Sequence, residues 1–162
     1  MPWPSPPEAR GLTVEAVDPG APEAKALMHA LSGALEAITG DDGRSRFDPD
    51  DLRPPAGVFL IARDGKGDAV GCGGMRDRDD GDVEIKRMFA CPGSGAGLVI
   101  LHELERRAWG AGARRMVLST RWINRRATAF YEKHGFRECA PYGDYVERPQ
   151  SVCMQKKPAP SD

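Results

Sequence analysis

Apolar and polar positions alternate from Leu12 to Val17 (LTVEAV), which predicts a first strand. From Pro22 to Ile38 the apolar residues fall at Ala24, Leu27, Met28, Leu31, Leu35 and Ile38. These spacings of three and four place them on one helical face, and Gly40 ends the helix. A polar, proline-broken stretch follows, residues 41–57, in which Leu52 marks a short helical turn. Three strand patterns come next: Val58–Arg63, closed by the hairpin pair Asp64-Gly65, then Ala69–Arg76, then Val83–Ala90. Residues 95–110 carry Gly97, Ile100, Leu101, Leu104 and Ala108 on one stripe, a helix closed by Gly110 and Gly112. Arg115–Thr120 reads as a strand and Asn124–His134 as an amphipathic helix with Gly135 past its end. Val152–Lys156 reads as a last short strand. A hairpin-rich first half followed by a strand–helix–strand crossover predicts a mixed sheet with helices on both faces.

Composition adds two boundaries to this picture. The 162 residues include 19 glycines and 14 prolines, about a fifth of the chain, yet 40 % are hydrophobic and no glycine period is present. The reading is one domain over residues 11–157, between a proline-rich arm (1–10) and a short tail (158–162). The formal net charge is −1, which excludes a whole-domain electrostatic footprint for nucleic acid. No apolar run is long enough to cross a bilayer, and the first residues lack a basic region followed by an apolar stretch. The expected location is therefore the cytoplasm. Cys72, Cys91, Cys139 and Cys153 are too widely spaced for a zinc site, and no metal is expected.

Candidate chemistry concentrates between residues 86 and 136. Pro92-Gly93-Ser94-Gly95-Ala96-Gly97 runs straight into a helix. Alternating glycines there let backbone N–H groups converge on an anion at the positive helix end. Alone, the segment also fits an ordinary tight turn. The pattern Asn124-x-x-Ala127-x-x-Phe130-Tyr131-x-x-x-Gly135-Phe136 is longer and more specific. With both segments in this order, the chain resembles the GCN5-related N-acetyltransferase (GNAT) superfamily over residues 58–157, and more loosely over 12–57. The resemblance implies a central, mostly antiparallel mixed sheet of about six to seven strands with helices on both faces. One departure is visible. The family loop usually reads P-x-x-[RQ]-G-x-G-x-[GA], whereas here the glycines follow Pro92 at once, about three residues short and without the basic or amide residue.

The resemblance implies acetyl-CoA as cosubstrate, without a metal, and direct acetyl transfer to the amine of a small molecule or peptide. Its pyrophosphate would lie on Gly93, Ser94, Gly95, Ala96 and Gly97. Its pantetheine arm would lie on Asn124 and on the backbone of Met88, Phe89 and Ala90, one of whose N–H groups would polarise the thioester oxygen. Tyr131 takes the position of the general acid for the departing sulfur; it also fits a core aromatic. Asn124 also fits a helix N-cap. Glu84, an acid between Val83 and Ile85, is the candidate base, with an ion pair to Lys86 or Arg87 on an exposed face as the alternative. Acceptor walls are expected from residues 44–54 and 141–149, including Tyr142 and Tyr145. A run of aspartates (41, 42, 48, 50 and 51) could attract a cationic amine but fits a solvated surface loop better. Trp109 and Trp122 read as packing groups. The family also implies a homodimer as one arrangement, and arginine-rich usage suggests a GC-rich bacterial source. A rival reading is a non-catalytic module of the same fold, with a degenerate loop, acting in protein interaction or sensing.

Overall fold

The computed structural model describes residues 11–43, 47–78 and 80–160. The proline-rich arm (1–10), the start of the expected acceptor stretch (44–46) and the last two tail residues lie outside the described residues. The chain forms β1 (Thr13–Ala16), α1 (Pro22–Thr39), β2 (Gly57–Arg63), β3 (Ala69–Asp77), β4 (Val83–Ala90), α2 (Ala96–Gly110), β5 (Met116–Arg121), α3 (Arg125–Lys133), β6 (Arg137–Cys139) and β7 (Ser151–Lys156). Short 3-10 turns occupy Pro49–Leu52 and Gly143–Glu147. The strands make one seven-stranded sheet in the order β1-β2-β3-β4-β5-β7-β6. Each neighbouring pair is antiparallel except β4–β5, which is parallel. Strand β6 leaves no trace in the sequence pattern, because two exposed charged residues and one half-buried cysteine are too few to carry a periodicity.

The pleat sorts the apolar residues onto two faces. On one face Phe59 and Ile61 of β2 pack with Cys72 and Leu52 beneath Ala24, Leu27 and Met28 of α1. On the other, Leu60 and Ala62 pack with Ile85 and Leu118 beneath Ile100, Leu101 and Leu104 of α2 and Tyr131 of α3. Helix α1 ends where Gly40 adopts the left-handed conformation (φ 79°), which an L side chain resists.

Three details of the sheet shape the site. First, a side chain on Gly71 of β3 would stand 2.6 Å from the Cβ of Ala96, the first residue of α2; a hydrogen there is what lets the helix start lie against the strand. Second, β4 carries a bulge. Cys72 pairs with Phe89 and Gly74 with Lys86, so β4 holds one extra residue. Arg87 sits at that point with φ 59°, unusual for a side-chain-bearing residue. The carbonyl of Arg87 accepts the Cys72 thiol at 3.4 Å, and its guanidinium Nη2 donates to Met28 O (2.9 Å) and Ser32 Oγ (2.6 Å) in α1. Third, β4 and β5 pair only at Val83–Met116 and Glu84–Val117, then part. Their paired end is fastened by Asp82, buried, which accepts from Arg114 Nε (3.0 Å) and Arg115 Nε (2.8 Å).

Candidate active site

Beyond the bulge the parting of β4 and β5 opens a cleft of about 210 Å³ through the sheet. Glu84, Lys86, Arg87 and Met88 line it from β4, Ser119, Thr120 and Arg121 from β5, Asn124 and Tyr131 from the α3 side, and Leu31 and Leu35 from α1. The expected catalytic pair, Tyr131 and Glu84, therefore faces one space.

Tyr131 is held by edge-on contacts with Phe130 (ring centroids 5.2 Å apart) and Phe136 (5.5 Å). Burial pushes its phenol well above the usual tyrosine range, so it keeps its proton. The ring is part of the core and of the cleft wall together, so both of its expected roles have a structural basis. Asn124 caps α3: its Oδ1 accepts from Ala127 N at 3.3 Å, and the side chain also lines the cleft.

Glu84 is buried, not exposed, and its ion-pair partner is neither Lys86 nor Arg87. Its Oε1 accepts from Arg76 Nε at 2.8 Å, with Arg78 Nη1 at 3.8 Å, and its Oε2 accepts from the Tyr142 hydroxyl at 2.7 Å. Tyr142 is thereby committed to Glu84, with the Arg78 guanidinium over its ring at 4.6 Å. Burial, then the adjacent Glu84 charge, raise its phenol far above the ordinary range. It stands behind the cleft wall, whereas Tyr145, edge-on to it at 5.3 Å, lines the cleft. Of the five aspartates, Asp41 lines the cleft. Asp48 caps a 3-10 turn, Asp50 pairs with Arg53, and Asp51 pairs with Arg76.

The glycine turn adopts the geometry that glycines permit. Gly93 (φ 77°) and Gly95 (φ 75°) are both left-handed, and Gly95 immediately precedes α2. The first N–H groups of a helix lack intrahelical partners. Here one of them, Ala96 N–H, is taken by Ser94 Oγ at 3.2 Å. A Cβ at Gly97 would meet the Phe130 ring carbons at 3.5 and 3.6 Å, ordinary packing contact across the two helices. Helix α3 thus lies alongside the start of α2. Positive φ values, first-turn donors and an uncrowded approach are a donor set that fits a pyrophosphate. Met88 and Ala90 pack towards α2 and Phe89 towards α1.

The sequence reading missed Arg76, Arg87 and Arg121. Arg76 meets Glu84 across a strand pair, and the bulge at Arg87 has no local signature. Arg121 did leave a trace: a charge that closes β5, three residues past Leu118 and three residues before Asn124. Trp122, taken as a packing group, is half exposed, while Trp109 packs against the core. No helix of the described residues is long and apolar enough to cross a membrane.

Comparison with known proteins agrees with this geometry. The model of the acetyltransferase (GNAT) family matches residues 24–136. An IAA acetyltransferase of Azospirillum brasilense is 32 % identical over 134 residues, covering 80 % of this chain and 87 % of that protein. An uncharacterised N-acetyltransferase, YsnE, of Bacillus subtilis is 33 % identical over 111 residues, covering 65 % and 73 %. A crystal structure described as an acyl-CoA N-acyltransferase of Klebsiella pneumoniae superposes with TM-score 0.77 at 28 % identity, over 90 % of this chain and 97 % of that one. The PaiA N-acetyltransferase of Thermoplasma acidophilum, solved with coenzyme A, shares the fold at TM-score 0.66 and 15 % identity, over 90 % and 99 %. The seven-stranded sheet parted between β4 and β5, the glycine turn at the start of α2 and the match over most of the chain identify this protein as a member of the acetyltransferase (GNAT) family.

Proposed function

We propose that the protein is a cytoplasmic, acetyl-CoA-dependent N-acetyltransferase that moves an acetyl group directly to a primary amine of a small molecule or peptide. The observation that carries this reading is the shared cleft: Tyr131 of α3, Asn124 at the cap of that helix and Glu84 of β4 line one opening between β4 and β5. Acetyl-CoA supplies the activated acetyl group. The turn Gly93–Gly97 and the start of α2 receive its pyrophosphate through backbone donors, and Asn124 and the unpaired outer edge of β4 at Met88–Ala90 receive its pantetheine. A β4 N–H turned into the cleft stabilises negative charge on the carbonyl oxygen. The amine enters from the α1 side. Glu84, held by Arg76 and Tyr142, takes its proton directly or through a water, and the Tyr131 hydroxyl gives a proton to the departing sulfur.

Tyr131 and Glu84 lining one cleft at a parted strand pair favours this reading over a non-catalytic module. The short loop still presents left-handed glycines at a helix start, the part of the family loop that contributes backbone donors. Calorimetric titration with acetyl-CoA is expected to show binding in the micromolar range, and mixing with amines is expected to release free thiol. No binding at millimolar ligand overturns the reading.

A further inference from the structure

We infer that the amine acceptor carries a carboxylate of its own, which Arg121 receives at the α1-side mouth of the cleft with Lys86 and Arg87 supplying the surrounding positive field. This rests on the acetyl-transfer reading and deepens it by naming the substrate class: a compact amino carboxylate.

Strand parity decides which mouth Arg121 serves. In β5, Met116 and Leu118 belong to the core beneath α2, while Val117 packs on the opposite face with Tyr142 and Cys153. Continuing each row, Thr120 falls on the α2 side, and Ser119 and then Arg121 fall on the α1 side. Arg121 thus faces the acceptor mouth, away from the glycine turn. In β4, Val83 and Ile85 face α2, so Glu84 and Lys86 face α1. The bulge then adds Arg87 to the same side, where its contacts to Met28 and Ser32 fix the guanidinium against α1.

The charges on this side are unequal. Lys86, Arg87 and Arg121 line the cleft against two carboxylates, Asp41 and Glu84. Glu84 is already compensated, because Arg76 sits on one oxygen and Arg78 lies close behind. The lining thus holds more cationic side chains than carboxylates, which suits an anion better than a polyamine. Arg121 adds a specific demand. Its Nε is buried and has no hydrogen-bond acceptor among the described residues. A buried donor without a partner is costly, and a guanidinium presents Nε and a terminal nitrogen as a fork that a carboxylate fills with two parallel bonds. A cleft of about 210 Å³ is below the usual range for drug-sized ligands and suits an acceptor about the size of an amino acid. The carboxylate takes no part in bond making. Docked on Arg121, it would fix the amine end towards Glu84 and the acetyl carbon, while Leu31, Leu35 and Tyr145 border the intervening apolar part.

The test uses the full chain and matched probes: leucine and 4-aminobutyrate, each beside its carboxamide, with spermidine as a cationic amine. Thiol release is measured with acetyl-CoA, and binding is measured separately by ligand-induced thermal shift. The expected result is at least a tenfold preference in kcat/KM for a carboxylate over its amide, and little turnover of spermidine. In Arg121→Gln the KM for the acid rises about 10- to 100-fold, that for acetyl-CoA moves little, and the acid-over-amide preference collapses. Arg121→Lys, which keeps the charge and loses the fork, recovers part of it. A merely structural Arg121 would instead move all substrates together. Equal or better use of amides and spermidine overturns the inference while leaving acetyl transfer intact, and so does an Arg121→Gln variant whose preference is unchanged. Binding of the acids that depends on Arg121, without thiol release from any amine, overturns the acetyl-transfer reading and supports the carboxylate site. Failure of every acid to shift the melting temperature overturns the site.

Discussion

Tyr131 shows how one residue can be read twice from a sequence and stand in two settings in the fold. Its aromatic body belongs to the core beneath α2, and its hydroxyl end belongs to the cleft. Replacing it with Phe leaves the packing intact and removes one oxygen. Stability should change by less than about 1 kcal/mol, since no hydrogen bond of the hydroxyl to another described residue is lost. Turnover should fall about 100-fold if the phenol is the proton donor, with acetyl-CoA affinity nearly unchanged. Thiol-release kinetics beside calorimetry separates the two, and an unchanged kcat would remove Tyr131 from the mechanism. Glu84 marks the other limit of legibility. The alternation of β4 identified an acid among apolar neighbours, but its three partners lie on β3, at the end of β3 and 58 positions along the chain. Such pairings are set by strand register and by the path of a loop, neither of which leaves a periodic trace.

At the scale of elements, hydrophobic periodicity located every helix and six of the seven strands, because each buries a regular stripe or face. It missed β6, whose three residues join the sheet only through β7. The glycines of β3 have a spatial meaning that the chain alone gave only as adjacency. Gly71→Ala would place a methyl 2.6 Å from Ala96 Cβ and 2.9 Å from the Phe89 carbonyl oxygen. The start of α2 must retreat, with an expected cost of about 1–3 kcal/mol. The N–H groups proposed to receive the pyrophosphate move with it, so acetyl-CoA affinity should fall at least several-fold. Gly33→Ala is the control. It lies in α1 with open space around its would-be side chain and should stabilise by up to about 1 kcal/mol. Equal acetyl-CoA affinity in wild type and Gly71→Ala would show that the close approach does not position the turn.

Across the whole molecule, the sheet consists of two plates, β1 to β4 and β5-β7-β6, that share a seam of two residue pairs. Asp82 fastens the closed end of that seam. Burial opposes its ionisation, but the hydrogen bonds from Arg114 and Arg115 prevail and hold its carboxyl below the usual range. A group whose folded value is depressed stabilises the fold above its unfolded value, near pH 4, and that contribution is lost as pH falls through the folded value. Asp82→Asn should therefore cost about 2 kcal/mol at pH 7, discounted for the solvent around Arg114, and the gap to wild type should narrow below pH 4 in urea unfolding. A gap that stays constant with pH would show that the charge is not what fastens the seam. The consequence reaches beyond stability. With so short a seam, β4 and β5 are joined at one end only, and that end is held by charge. Weakening that hold is expected to alter the width of the cleft, and with it the proposed binding of the thioester, without touching a residue that lines it.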